Sequence, residues 1–198
     1  MIDALLRGLA LGGPLEAAAV LLGVVYVLLI LKRQRLGWVA GGVSSAIYVY
    51  LAASARLPMQ SLLNAYYVAM AVYGWYSWTR AQQQGEARVT RWPLPLHAAA
   101  VVAIVLVSLL SSHWLALETL AAWPLLDSLT AAISLLATWL VARMKLENWL
   151  YWIAADAITA FLFGAQGHPY TSALFLIYLT IATVGFFEWL GLYRRQAP

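Results

Sequence analysis

The sequence predicts an all-α integral membrane protein whose seven transmembrane helices form two parallel three-helix repeats joined by a linking helix. Of its 198 residues, 64% are hydrophobic and only 10% are charged, which is more apolar surface than a soluble domain of this length buries. The second half repeats the first, without gaps, at an offset of 111 residues; matched pairs are Trp38 and Trp149, Gly74 and Gly185, and Trp78 and Trp189. Parallel repeats of this kind are a recurring design of transporters.

Long charge-free runs give the helices in order. About 20 residues cross the hydrocarbon core of a bilayer. The break from Gly164 to Pro169 divides the last apolar stretch into two helices. The first repeat is therefore residues 15–79, the second is residues 126–190, and residues 80–125 hold a loop and linking helix 4. The seven predicted spans are about 15–31, 37–54, 59–79, 95–115, 126–142, 147–164 and 170–190.

The basic residues predict the orientation in the membrane. Ten of the twelve Lys and Arg residues fall on one side of the seven-span arrangement, and only Arg7 and Arg56 fall on the other. Cytoplasmic loops carry the excess of Lys and Arg, so the N-terminus is expected outside and the C-terminus in the cytoplasm. These loops account for the net charge of +4. The expected partner is therefore the lipid bilayer and not nucleic acid.

The sequence lacks the residues that several other classes of protein require. There is no cysteine for a disulfide or a thiolate metal site. There is no Walker-type phosphate loop and no Gly-x-Ser-x-Gly elbow. His97, His113 and His168 lie at span ends, far apart in sequence. We therefore expect no enzyme activity, catalytic residue, metal or cofactor. An intramembrane enzyme and a ligand sensor rank behind transport.

Asp156 is the most informative single residue, because a carboxylate near the middle of a span is costly and is expected to face the bundle interior or water. Helical spacing places Trp149, Trp152 and Thr159 on the same face. The alternative role is a buried structural hydrogen bond, and a third possibility is coupling to a proton or sodium ion. The corresponding candidates in the first repeat are Trp38, Ser45 and Tyr48.

A second stripe follows the third span through Asn64, Tyr67 and Trp78. The Asn64 amide both donates and accepts hydrogen bonds, so it suits a polar substrate edge, although Asn also joins helices in membranes. The seventh span repeats the stripe as Tyr178 and Trp189. We expect Tyr67 and Tyr178 to face each other across the repeat axis, with the substrate held between the repeats.

Two further acids are weaker candidates for substrate contact. Glu188 lies near the cytoplasmic end of the last span, where reaching water or pairing with Arg143 or Arg194 is the alternative. Asp127 opens the fifth span shortly after Pro124, where an acid also complements the helix dipole.

The run Tyr73-Gly74-Trp75-Tyr76, followed by Trp78, resembles the third-helix signature of the PnuC family of bacterial vitamin transporters. The run from Lys145 to Trp149, which reads Lys-Leu-Glu-Asn-Trp, is similar to the same family, and the resemblance covers about residues 15–191. It implies a three-plus-one-plus-three fold similar to the SWEET sugar carriers, a homotrimer, and facilitated diffusion with a cytoplasmic kinase that traps the substrate as its phosphate.

The substrates that the resemblance implies are nicotinamide riboside first, thiamine beside it, and then riboflavin. This chain departs from the nicotinamide riboside pattern at three candidate positions. Asn64 stands where Gln is common, Asp156 where Asn occurs, and Glu188 in a last helix that usually reads Asn-Gly-x-Arg-x-Trp. Because nicotinamide riboside and thiamine both carry a cationic ring, an acid at Asp156 suits either of them.

Overall fold

A computed structural model describes residues 13–118 and 123–196, and this part of the chain is helical with short connections. The predicted all-helical fold with seven helices is confirmed. Two helices run several residues further than predicted, the third helix to Gln83 and the last helix through Gly191 to Gln196. The helices are α1 (Gly13–Leu31), α2 (Leu36–Ser54), α3 (Pro58–Gln83), α4 (Leu94–Glu118), α5 (Pro124–Ala142), α6 (Asn148–Ala165) and α7 (Pro169–Gln196).

Five helices in the described part are long and apolar enough, by length and composition, to cross a membrane: α1, α2, α4 over Leu94–His113, α5 and α7. The other two, α3 and α6, contain Asn64 and Asp156, two of the polar candidates. Further polar candidates lie in the more apolar helices: Ser45 in α2, Asp127 in α5 and Glu188 in α7.

The first compact unit consists of the chain up to Arg88 together with Val141–Arg143. Within it α2 packs against both α1 and α3. The Ser44 hydroxyl donates a hydrogen bond of 2.8 Å to the carbonyl of Ala19 and so joins α2 to α1. The side chain of Trp78 donates a bond of 3.2 Å to the carbonyl of Val141, one of the C-terminal helix carbonyls that lack an intrahelical partner.

The second compact unit consists of Val89–Leu140 and the chain from Met144 onward. Its α6 packs against α7, and an apolar cluster of Ile104, Ile133 and Ala155 joins α4, α5 and α6. Helix α4, predicted as a separate linker, thus belongs to this unit. The predicted division at residues 79 and 125 is a division by repeat, whereas the compact units part at Arg88.

The 111-residue period recurs in the backbone of the helix ends. Arg33 and Met144, which follow α1 and α5, have φ values of 55° and 51°. Arg56 and Gly167, which follow α2 and α6, have φ values of 57° and 78°. After each one, the next amide donates to a carbonyl five residues back at 2.8–2.9 Å. This is the left-handed C-terminal cap of the Schellman motif, formed at matching positions of both repeats.

Candidate substrate-binding site

In each repeat, two tryptophans and a glycine hold two neighbouring helices together, and we call this set the tryptophan lock. In the first unit the rings of Trp38 and Trp78 lie 5.6 Å apart at 89°. In the second, Trp149 and Trp189 lie 5.5 Å apart at 88°. All four side chains are at most 2% exposed. The structure therefore gives these four candidates a packing function in the interior of each unit, and their contact with substrate stays a prediction.

The glycines explain why the two helices of each lock can approach so closely. A Cβ on Gly74 would overlap the ring of Trp38, and a Cβ on Gly185 would lie 2.7 Å from Cζ3 of Trp149. Small residues let membrane helices approach closely, so each glycine provides the space that the facing indole fills. The indole nitrogens of Trp38 and Trp149 are buried, with no hydrogen-bond partner within the described residues.

These contacts fix the register of the antiparallel helices α6 and α7. Trp149 meets Gly185, and the Ser172 hydroxyl donates a 2.8 Å bond to the carbonyl of Ala160. Asp156 comes seven residues after Trp149, and Tyr178 comes seven residues before Gly185. Seven residues are almost two helical turns, about 10 Å. Asp156 and Tyr178 therefore lie at the same level on neighbouring helices, on the faces that the lock brings together.

The first unit has the same register with different side chains. Ser45 follows Trp38 by seven residues, and Tyr67 precedes Gly74 by seven residues. The Ser61 hydroxyl donates to the carbonyl of Val49 at 3.4 Å, at the position that matches the bond from Ser172. Ser45 and Tyr67 are thus the counterparts of Asp156 and Tyr178, and both are half-buried.

Asp156 is the candidate whose surroundings point most clearly to a ligand. It is 6% exposed, and within residues 13–118 and 123–196 its carboxylate has no hydrogen bond or ion pair. A carboxylate that is largely withdrawn from water and has no partner is unfavourable. The predicted alternative, a structural hydrogen bond from a neighbouring helix, is therefore absent from the described residues.

The predicted four-residue stripe on α6 divides between two neighbours, which corrects the expectation of one common face. Trp149 packs towards α7, whereas Trp152 packs against the apolar cluster of Ile104 and Ile133. The hydroxyl of Thr159 donates to the carbonyl of Ala155 at 2.8 Å within its own helix. Positions three residues apart differ by about 60° around a helix, which is enough to meet different elements.

Other candidates occupy varied surroundings. The Asn64 amide donates to the carbonyl of Gln60 at 2.9 Å, one turn earlier in α3. Tyr48 is half-buried in α2, and Asp127 is half-buried in the first turn of α5, where the helix dipole favours an acid. Glu188 lines an open groove of about 410 Å³ along α7, together with Val184, Phe187, Gly191 and Arg195.

Glu147 is a buried polar residue that the sequence places only within the Lys145–Trp149 motif. It is 5% exposed, and its carboxylate accepts hydrogen bonds from the side chain of Arg91 and the backbone amide of Trp92, both at 3.0 Å. The hydrogen bond to Glu147 raises the pKa of the Arg91 guanidinium. No periodicity marks Glu147, because its partners lie more than 50 residues away in the chain.

The long apolar helices are those of a multi-pass membrane protein, and the family and relatives that match the chain are transporters and not enzymes. The profile of the nicotinamide mononucleotide transporter family matches residues 13–191. The chain therefore belongs to that family.

Individual relatives agree with this assignment. The chain is 26% identical to the nicotinamide riboside transporter PnuC of Escherichia coli K12, over 92% of this chain and 87% of that protein. It is also 26% identical to the riboflavin/roseoflavin transporter RibM of Streptomyces davaonensis, over 89% of this chain and 84% of that protein. The crystal structure of the vitamin B3 transporter PnuC shares the fold, with a TM-score of 0.73 and 22% identity over 98% of this chain and 91% of that one.

Proposed function

We propose that this transporter is a facilitator for the uptake of a cationic vitamin, with nicotinamide riboside as the first candidate. The observation that carries the proposal is Asp156, a buried carboxylate without a partner in the described residues, level with Tyr178 on the facing helix. A cationic aromatic ring satisfies both groups, since the acid supplies the opposite charge and a tyrosine ring attracts a cation at its face. The names of the relatives support a vitamin as the substrate class.

The remaining candidates take secondary roles in this proposal. Ser45, Tyr67 and Asn64 supply neutral hydrogen bonds for a hydroxylated or amide-bearing part of the substrate. Tyr48 and Trp152 add aromatic contact. Glu188 and Asp127 interact with the substrate only during its passage towards or away from Asp156. Asp127 lies in the first turn of α5, and Glu188 follows Tyr178 by ten residues along α7, about 15 Å. The four lock tryptophans shape the site by holding the helices in register.

Thiamine is the alternative that the residues themselves favour. Its thiazolium ring is cationic and suits Asp156, and its aminopyrimidine has a donor–acceptor edge that Asn64 can read. Riboflavin comes third. Its main support is the similarity to a riboflavin/roseoflavin transporter, and its neutral ring system gains nothing from an acid at Asp156.

The proposed transport is facilitated diffusion. The sequence contains no Walker-type loop for ATP hydrolysis, so net uptake depends on a cytoplasmic kinase that converts the substrate to its phosphate. The proposal also includes a homotrimer in the inner membrane, with the N-terminus outside and the C-terminus in the cytoplasm. The ten-to-two distribution of Lys and Arg supports this orientation.

Calorimetric titration of the purified protein in detergent against nicotinamide riboside, thiamine and riboflavin tests the proposal. Tight binding of nicotinamide riboside supports the first candidate. Tight binding of thiamine alone would make Asn64, Asp156 and Glu188 the first candidates for the residues that select thiamine over nicotinamide riboside. Binding of riboflavin alone would contradict a cationic substrate. Binding of none of the three would contradict the proposed function as a whole.

A further inference from the structure

The connection between α3 and α4 is fastened to the turn between α5 and α6 by a short strand-like pairing. The amide of Thr90 donates to the carbonyl of Met144 at 3.1 Å, and the amide of Leu146 donates to the carbonyl of Thr90 at 2.9 Å. These bonds make a parallel bridge between Thr90 and Lys145. The Lys145 ammonium also donates to the Thr90 hydroxyl at 2.9 Å, so side chains and backbone hold the same two segments.

Two further attachments reinforce this pairing. Both oxygens of the buried Glu147 carboxylate accept hydrogen bonds from the α3–α4 connection, one from Arg91 and one from the backbone of Trp92. The amide of Val89 donates to the side-chain oxygen of Gln196 at the end of α7, at 3.0 Å. We call residues 89–92, residues 144–147 and Gln196 the clasp. It connects the start of α4 to the α5–α6 turn and to the end of α7.

The clasp is a property of the second repeat alone. The positions 111 residues before Lys145, Leu146 and Glu147 are Gln34, Arg35 and Leu36. The first repeat thus has an exposed leucine where the second has a buried acid. Since the repeat period is otherwise kept in the helix ends and the tryptophan locks, Glu147 marks a function that only the second repeat has.

The preceding segment differs sharply from the clasp. Residues 84–86 and 88 are exposed, Gly85 has a φ of 68°, and nothing lies within 4 Å of the position its Cβ would take. In contrast, the side chain of Val89 is 2% exposed. The exposed segment has a weak long-range hydrogen bond of 3.4 Å, from the Arg33 side chain to the carbonyl of Ala87, whereas the shorter long-range bonds begin at Val89, where the second compact unit also begins. A segment with exposed backbone and few contacts opens or bends at low free-energy cost.

We infer that the clasp stays closed throughout the transport cycle, so that α4 moves with α6 and α7 as one body and the flexing of the α3–α4 connection falls on residues 84–88. The inference rests on the proposed transport function. Its physical basis is cooperative, because three sets of hydrogen bonds meet within four consecutive residues, two from the α5–α6 turn and one from the end of α7. One set involves the buried carboxylate of Glu147, which is costly to leave unpaired.

Cross-linking tests this inference directly, because the chain has no native cysteine. Thr90→Cys with Lys145→Cys places two thiols on residues paired across a parallel bridge, where the strand spacing of about 4.8 Å suits a disulfide. We expect complete oxidation, verified by mass spectrometry, and an uptake rate in vesicles within twofold of the reduced form. A loss of uptake that a reductant reverses would overturn the inference. Failure of the disulfide to form would show that the segments are not held together.

A second variant shows whether transport requires the clasp. Glu147→Ala removes the acceptor of both bonds, and we expect uptake to fall at least fivefold while the substrate Kd measured by calorimetry stays within twofold. The Thr90–Lys145 disulfide in the same background should restore uptake. Wild-type uptake by Glu147→Ala, or no rescue by the disulfide, would refute the inference. If the unmodified protein itself moves no vitamin, the proposed function fails instead.

Discussion

At the scale of single residues, Asp156 marks a position where the two repeats of this chain differ in charge. Its counterpart in the first repeat is Ser45, and both lie level with a tyrosine on the neighbouring helix. One repeat therefore presents a charge where the other presents a neutral hydroxyl. The proposed cationic substrate suits the acid of the second repeat, since opposite charges attract.

Replacing Asp156→Asn keeps the size of the side chain and removes its charge. We expect the Kd of the cationic vitamin to rise roughly 10- to 100-fold, because a hydrogen bond to a charged group contributes about 1.5–3 kcal/mol. Calorimetric titration measures the change. Glu16→Gln is the matched control, since it neutralises an exposed acid in the first turn of α1. If Asp156→Asn and the unmodified protein bound the vitamin with equal affinity, Asp156 would not be a substrate contact.

The same substitution separates substrate contact from ion coupling. If Asp156 coupled an ion, Asp156→Asn would abolish accumulation driven by a proton or sodium gradient but would leave exchange of labelled substrate intact. We expect exchange and binding to fall together, because the account assigns Asp156 to the substrate. Exchange assays in vesicles with and without the gradients distinguish the two outcomes.

At the scale of helices, the sequence predicts helix positions better than periodicity alone would allow, because each helix assignment in one repeat is supported by matching residues in the other. Trp38, Gly74 and Trp78 recur as Trp149, Gly185 and Trp189, and the structure packs both sets in the same way. The sequence does not predict that these tryptophans are buried, because hydropathy and position fit an interfacial belt equally well. The missing Cβ of the facing glycine explains why the indoles of Trp38 and Trp149 fit inside.

Alanine at Gly74 or Gly185 tests the locks. We expect each variant to lose about 1–3 kcal/mol of folding free energy, because the added Cβ overlaps a buried indole. For a chain of this size the Tm should fall by roughly 2–12 °C.

Gly191→Ala is the control for both lock variants. Gly191 lies in the same helix as Gly185, but its Cβ would meet nothing within 4 Å. Helix propensity favours alanine there by about 0.5–1 kcal/mol, so the Tm of this variant should stay level or rise. A Gly74→Ala or Gly185→Ala protein as stable as Gly191→Ala would contradict the packing function of the locks.

At the scale of the whole molecule, composition and repeat predict the fold class and all seven helices, but not how the connecting segments interact. The contacts of Glu147 with Arg91 and Trp92 join segments more than 50 residues apart, and no local pattern signals such a partner. Likewise, the sequence assigns Trp152 and Trp149 to one stripe, whereas packing against two different neighbours separates them. Side-chain partners depend on helix rotation and register, which periodicity leaves undetermined by tens of degrees.

The orientation follows from charge and is testable because the chain has no native cysteine. We expect Arg56→Cys to react with a membrane-impermeant maleimide in intact cells, and Glu86→Cys to react only after the membrane is opened. Both positions are exposed in connections between helices, so local accessibility is matched. The reverse labelling pattern would place the N-terminus in the cytoplasm.

Uptake into vesicles that contain only the purified protein tests the central claim most directly. With labelled nicotinamide riboside and thiamine outside, the account predicts saturable entry of one of them until the inside and outside concentrations are equal. No further accumulation should occur under a proton or sodium gradient, and adding the matching kinase and ATP inside should raise the trapped label. Binding without entry, or accumulation above the outside concentration without a kinase, would contradict a facilitator.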